Sequence, residues 1–214
     1  MKKTEIILKE GYPFIFISGA IFLLSLIFNA PFIIEIILFF IFGFFIYFFR
    51  NPERIPEDLG YGAVISPSDG EVIEIVEALS PITKKESLKI SIRLSLFDVH
   101  IQRAPIEGEI VAKEKIHGMF LSLNDEKASE LNEQNRVLFK DEKNEIVVNQ
   151  IAGFITRRIV DFKDLGPIKI GERYSMIMFG SQVDIYLPKN FTLKVIEFQK
   201  VRAGETVLGY INEN

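Results

Sequence analysis

From Pro13 to Phe49 the chain carries one charged side chain, Glu35, and twelve of its 20 phenylalanines. Helices apolar on every face need a large protein interior or lipid around them. The stretch breaks at Asn29-Ala30-Pro31 into runs at 14–28 and 32–49. A bilayer-spanning helix takes about 20 residues, with a range near 17–25. Each run is close to that lower limit, and proline beside asparagine makes a tight turn. The pattern predicts an N-terminal transmembrane helical hairpin within residues 1–49. A single tilted or re-entrant anchor fits the same residues. Lys2, Lys3 and Lys9 precede the hairpin, and Arg50 and Arg54 follow it. Positive charge on both flanks places both ends in the cytoplasm, which predicts a cell-membrane protein with its remaining domain on the cytoplasmic side. A cleaved signal peptide fits poorly, because Phe28-Asn29-Ala30 is not a small-x-small site and a second apolar run follows.

The rest of the 214 residues suffices for one domain and is too short for two. With no cysteine, disulfide frameworks, thiolate metal sites and cysteine nucleophiles are excluded. Two histidines, His100 and His117, exclude a three-histidine metal site, and no metal site is expected. The net charge of −4, without a basic run, argues against nucleic acid as a partner.

Pro52 and Pro56 make a stiff exit from the apolar region. Beyond residue 63, short strand-like runs alternate with Gly-, Pro- and Asn-rich turns. Leu88, Ile90, Ile92, Leu94 and Leu96 alternate with Lys89, Ser91, Arg93 and Ser95, the period of a half-buried strand. Residues 177–187 show the same alternation, with Ser181 in phase with Phe179 and Val183. Further strands are expected at 71–76, 109–115, 145–152, 157–160 and 191–198, and one short helix at 125–132. The fold class is mainly β, a sandwich or partly open barrel behind the hairpin, residues 50–214 forming the β domain. Glycine turns at Asp69-Gly70-Glu71 and Ala203-Gly204-Glu205 are similar to those of biotinyl and lipoyl barrel-sandwich modules. The carrier lysine of such modules is missing, so the hint concerns fold alone.

Few residues can carry chemistry. Gly180 leaves the carbonyl before Ser181 unshielded, so a neighbouring hydroxyl can attack it. The hydrolase elbow Gly-x-Ser-x-Gly is not met, with Phe179 and Val183 at its glycine positions. Asp98 and His100 continue the parity of Leu94 and Leu96, so an unbroken strand would deliver both to the buried face. An acid on that face can fix the imidazole tautomer. Asp69, before Gly70, reads as a turn residue, and His117, before Gly118, as structural.

The segments Phe48-Phe49-Arg50-Asn51-Pro52-Glu53-Arg54-Ile55-Pro56, Ser66-Pro67-Ser68-Asp69-Gly70 and Asp98-Val99-His100 with Arg103-Ala104-Pro105 come first. Asn132-Glu133-Gln134-Asn135, Gln150-Ile151-Ala152-Gly153, Phe179-Gly180-Ser181-Gln182-Val183-Asp184 and Gly204-Glu205 follow. In this order they resemble the phosphatidylserine decarboxylase family in its short archaeal and bacterial form. Gln182 and Gln134 stand where that family commonly has Arg, and His117 where it often has Pro. Longer relatives carry a second histidine at the position of Arg103.

The resemblance implies a pyruvoyl enzyme made by self-cleavage at Gly180-Ser181, leaving fragments 1–180 and 181–214 associated as a heterodimer. Ser181 would be nucleophile and source of the pyruvoyl cofactor, and His100 the base. Asp69, or failing that Asp98, would be its acid partner. The pyruvoyl carbonyl would form a Schiff base with a serine phospholipid, phosphatidylserine or archaetidylserine, and the product would be the ethanolamine lipid. Two rivals make different predictions: a membrane-anchored adaptor stays uncut, and a membrane-anchored serine hydrolase keeps its serine.

Overall fold

The computed structural model describes residues 5–56, 59–119, 121, 131–153, 158–178 and 181–212. The chain divides into two compact units, residues 1–53 and 54–214.

The first unit holds helices α1 (Tyr12–Ile27) and α2 (Phe32–Phe48). Pro13 sits in the first turn of α1, where its missing N–H costs nothing. Asn29 takes a left-handed conformation, φ 48°, and Pro31 precedes α2, which makes the expected break. The two helices pack through aromatic rings: Phe14 stacks on Phe49 with centroids 5.4 Å apart. Gly19 admits the Phe42 ring, since a Cβ there would lie 3.0 Å from Phe42 Cε2. Ser18 and Ser25 return their hydroxyls to the helix carbonyls of Phe14 and Phe22, each at 2.7 Å. Most of the remaining apolar side chains face outward. The helical stretch Lys9–Ile27 is long and apolar enough to cross a membrane, whereas Phe32–Phe48 is shorter, at 17 residues.

The second unit is built from strands. In chain order they are β1 (Ala63–Ile65), β2 (Gly70–Leu79), β3 (Glu86–Arg93), β4 (Ile101–Arg103), β5 (Gly108–Ile116), β6 (Gln134–Lys140) and β7 (Glu145–Ala152). Then come β8 (Ile159–Asp161), β9 (Gly166–Ile168), β10 (Arg173–Ile177), β11 (Ser181–Leu187), β12 (Phe191–Leu193), β13 (Lys200–Val201) and β14 (Val207–Ile211). An eight-stranded antiparallel sheet runs β13-β2-β3-β11-β7-β6-β5-β9. Two three-stranded sheets, β4-β10-β8 and β1-β14-β12, complete the unit. One core joins all three: Ile90, Ile92, Val148, Val183 and Ile185 from the large sheet, Ile159 and Ile177 from the second, Val64 and Leu208 from the third. The mainly β expectation holds.

Several boundaries differ from those read in the sequence. β3 stops at Arg93 and residues 95–98 form a turn. The cause is local: the Asp98 carboxylate accepts from Ser95 N at 2.8 Å, and Asp98 N donates to Ser95 O at 3.0 Å. Such a serine–aspartate turn competes with the strand ladder. The alternation over 177–187 belongs to two strands, β10 ending at Ile177 and β11 beginning at Ser181. The run at 191–198 yields only β12, which ends at Leu193, and Phe198 takes a left-handed conformation at φ 66°. The helix expected at 125–132 falls almost wholly outside the described residues, as do Arg157, Phe179 and Gly180.

Candidate active site

Ser181 opens β11, an interior strand with a partner on each side. Residues 182–187 pair with β3 and residues 181–186 with β7, Ser181 lying opposite Ala152. Its carbonyl accepts from Leu94 N at 3.0 Å. The side chain is fully buried, and among the described residues Oγ has no hydrogen-bond partner. A buried hydroxyl without a partner costs about 1–3 kcal/mol, so its position calls for a reason beyond packing.

His100 is also fully buried. It precedes β4, and its carbonyl accepts from Ile177 N, the last residue of β10, at 3.1 Å. The 94–100 loop is therefore tied to the ends of two strands: Leu94 N to Ser181 at the start of β11 and His100 O to Ile177 at the end of β10. The imidazole Nδ1 lies 3.0 Å from the Asp98 carbonyl oxygen. A carbonyl can only accept, so in this contact Nδ1 carries the proton.

The acid partner expected for His100 was Asp69 or, failing that, Asp98. Asp98 offers the ring its main-chain oxygen, while its carboxylate serves the 95–98 turn. Asp69 is filled otherwise. Arg54 grips it in a bidentate pair, Nη1 to Oδ1 at 2.6 Å and Nη2 to Oδ2 at 2.8 Å. Ala203 N donates to Oδ1 at 2.8 Å and Val99 N to Oδ2 at 3.2 Å. Four donors occupy the carboxylate, and both partners of the ion pair are almost wholly buried. Asp69 thus holds the backbone one residue before His100. At the next residue, Gly70 (φ 142°), a Cβ would sit 2.3 Å from Arg93 O, so glycine lets the start of β2 close on β3. Sequence reading assigned Arg54 to the positive flank of the anchor; the structure pairs it with Asp69. Nothing local to either residue signals this pairing across fifteen positions.

A buried polar row lies between the two sheets behind these residues. Gln102, two residues past His100, faces Ser175 across the β4–β10 ladder. Gln150 Nε2 donates to Ser175 Oγ. Asn135 Nδ2 donates to Gln150 Oε1 at 2.7 Å and to Asp161 Oδ1 at 3.1 Å. Asp161 reaches Lys115 at 2.9 Å, and that lysine is largely exposed. Gln150 faces Val183, two residues from Ser181. Sequence reading assigned no role to Gln102, Gln150 or Ser175; their place on inward-facing strand positions was the available signal. On the opposite face of the large sheet, burial pushes the Asp184 carboxyl above its usual range, and the hydrogen bond from Gln182 Nε2 at 2.9 Å opposes that rise.

A buried serine hydroxyl at the head of an interior strand, with a buried histidine on the loop that bonds that strand, makes this mainly β unit a candidate enzyme domain. Comparison with known proteins gives the family. A family model described as phosphatidylserine decarboxylase matches residues 41–209. A phosphatidylserine decarboxylase proenzyme of Geotalea uraniireducens (strain Rf4) is 43% identical, covering 98% of each chain. The proenzyme of that name from Carboxydothermus hydrogenoformans is 42% identical over 99% of each, and that from Burkholderia multivorans 38% over 97% of each. The chain belongs to the phosphatidylserine decarboxylase family and is a decarboxylase, a carboxy-lyase. The adaptor reading is thereby set aside.

Proposed function

We propose that the chain is a proenzyme that cuts itself between Gly180 and Ser181 and then decarboxylates a serine phospholipid, phosphatidylserine or its archaeal ether-linked counterpart. The observation that carries this is the buried Ser181 Oγ with no partner among the described residues, at the position that matches the family's cleavage motif. Attack of Oγ on the Gly180 carbonyl carbon exchanges the amide for an ester and frees the Ser181 amine. His100 Nε2 takes the hydroxyl proton and returns it to the departing nitrogen. Loss of the Ser181 α-proton then expels the Gly180 carboxylate. Water replaces the nitrogen, which leaves as ammonia. The balance is one water consumed, one carboxylate, one ammonia and one pyruvoyl group formed.

The site suits that group. Its formation removes the orphaned hydroxyl, and β11 holds residue 181 by ladders on two sides. When present, its carbonyl condenses with an amine and acts as the electron sink for loss of carbon dioxide. The protein's own part is to hold and shield. His100, fixed through Nδ1 on the Asp98 carbonyl, returns a proton to the substrate carbon in this scheme. Asp69 acts through the Val99 backbone, which makes it a positioning residue in this scheme. The buried surroundings of Ser181 exclude bulk water, so a carboxylate there loses solvation before it leaves.

The anchor completes the reading. Residues 1–49 hold the protein on the cell membrane through α1, or through both helices, with residues 50–214 on the cytoplasmic face. Tethering confines the search for a headgroup to a thin layer at the bilayer surface. Denaturing electrophoresis of wild-type protein beside Ser181→Ala tests the scheme: the wild type runs as two fragments and forms ethanolamine lipid, and the variant runs as one and forms none. An uncut wild type that decarboxylates would end it.

A further inference from the structure

The Gln102 side chain is fully buried, and among the described residues its Oε1 has no hydrogen-bond partner. Its orientation is set by its neighbours. Nε2 donates to the His100 carbonyl at 3.4 Å and to Ser68 Oγ at 3.3 Å. A carbonyl cannot donate, so the nitrogen must face His100 and the oxygen must point away. The free atom is therefore an acceptor and calls for a donor. Ser175, opposite Gln102, is already engaged by Gln150. Both bonds from Nε2 are long, so Gln102 adds little to stability and carries the cost of an unsatisfied oxygen.

Gln102 stands opposite Ser175, whose hydroxyl meets Gln150 of the large sheet, so its side chain is on the face of β4 turned toward that sheet. The substrate of the decarboxylase reading has one N–H donor group, the serine amine, and must bring it to residue 181 as a neutral amine. We propose that Gln102 Oε1 is the acceptor for the primary amine of the lipid headgroup, turning the nitrogen lone pair toward residue 181. Its ligand class is a primary amine on a phosphodiester headgroup. The inference rests on the proposed function and adds a specificity residue to it. An anionic group is excluded from this position, because the unpaired atom is itself an oxygen.

Two variants separate the possibilities. Gln102→Met keeps length and removes the acceptor; Gln102→Glu keeps an oxygen at the same place. Three readouts are taken on full-length protein in detergent: intact mass, thermal shift with glycerophosphoethanolamine against glycerophosphocholine, and KM for phosphatidylserine. Wild-type protein is stabilised more by the ethanolamine compound than by the choline compound. Gln102→Met cuts itself, melts no lower than wild type, loses most of that preference and shows a KM raised about tenfold, the worth of one buried hydrogen bond. Gln102→Glu keeps the preference. A Gln102→Met protein with wild-type preference and KM overturns the assignment and leaves Oε1 to a resident water. Failure of Gln102→Met to cut overturns it too, placing Gln102 in the cleavage step. An uncut wild type overturns the proposed function instead.

Discussion

The Ser181 hydroxyl, the Asp69 carboxylate and the Asp184 carboxyl each obey a different rule of burial. Among the described residues Ser181 Oγ has no partner, and in the proposed chemistry it is consumed. His100→Ala is expected to slow self-cleavage by about 10²–10⁴-fold, the usual worth of a general base; the uncut fraction followed over time after synthesis reads this directly. Asp69 has four donors, two of them from Arg54, its partner in a buried ion pair. Arg54→Ala leaves an unpaired buried charge and should cost about 3–5 kcal/mol, seen as a lower melting temperature. Adding Asp69→Asn to that variant recovers part of the loss, because the stranded charge is gone. For Asp184, burial raises the folded-state pKa above the unfolded one. The folded state then favours the protonated form, so the carboxylate is a penalty at neutral pH that fades as pH falls toward the ordinary carboxylate range. Asp184→Asn should therefore raise the melting temperature at pH 7 and raise it less near pH 4, by about 2–4 °C for each kcal/mol relieved. The resemblance singled out Ser181, His100 and Asp69, and their roles belong to the proposed scheme. Arg54 was visible only as a cation, since its partner lies fifteen positions away. Gln102 was unreadable, because an orphaned atom exists only once its surroundings do.

Secondary-structure elements were legible where period two ran without interruption, as in β3, β5 and β7. Legibility failed where a side chain competed with the ladder. Ser95 and Asp98 bond across three residues and end β3 at Arg93, so Asp98 never reaches the buried face that parity assigned it. The spacing of those two residues was the signal available. β11 carries the main consequence at this scale. Six residue pairs join it to β3 and six to β7, while β12 and β14 pair with each other, and β14 with β1. A cut before Ser181 severs one covalent link and leaves these ladders in place. Fragments 1–180 and 181–214 should co-elute in size-exclusion chromatography and separate only in denaturant. Separation in native buffer would contradict the role given to β11.

Across the whole chain, an apolar helical unit and a β unit with its own core divide the work. The break at Asn29–Pro31 and the exit at Pro52 were readable from composition. The span was less so, because α2 has 17 residues and one helical stretch meets the length of a bilayer. The central claim is that the chain breaks its own backbone and turns a serine into a ketone. Intact-mass measurement of the purified, active protein tests it most directly. The account predicts a small fragment covering 181–214 whose mass is lower by one ammonia than the same peptide beginning with serine. A single full-length mass in protein that decarboxylates lipid, or a small fragment that still begins with serine, would contradict it.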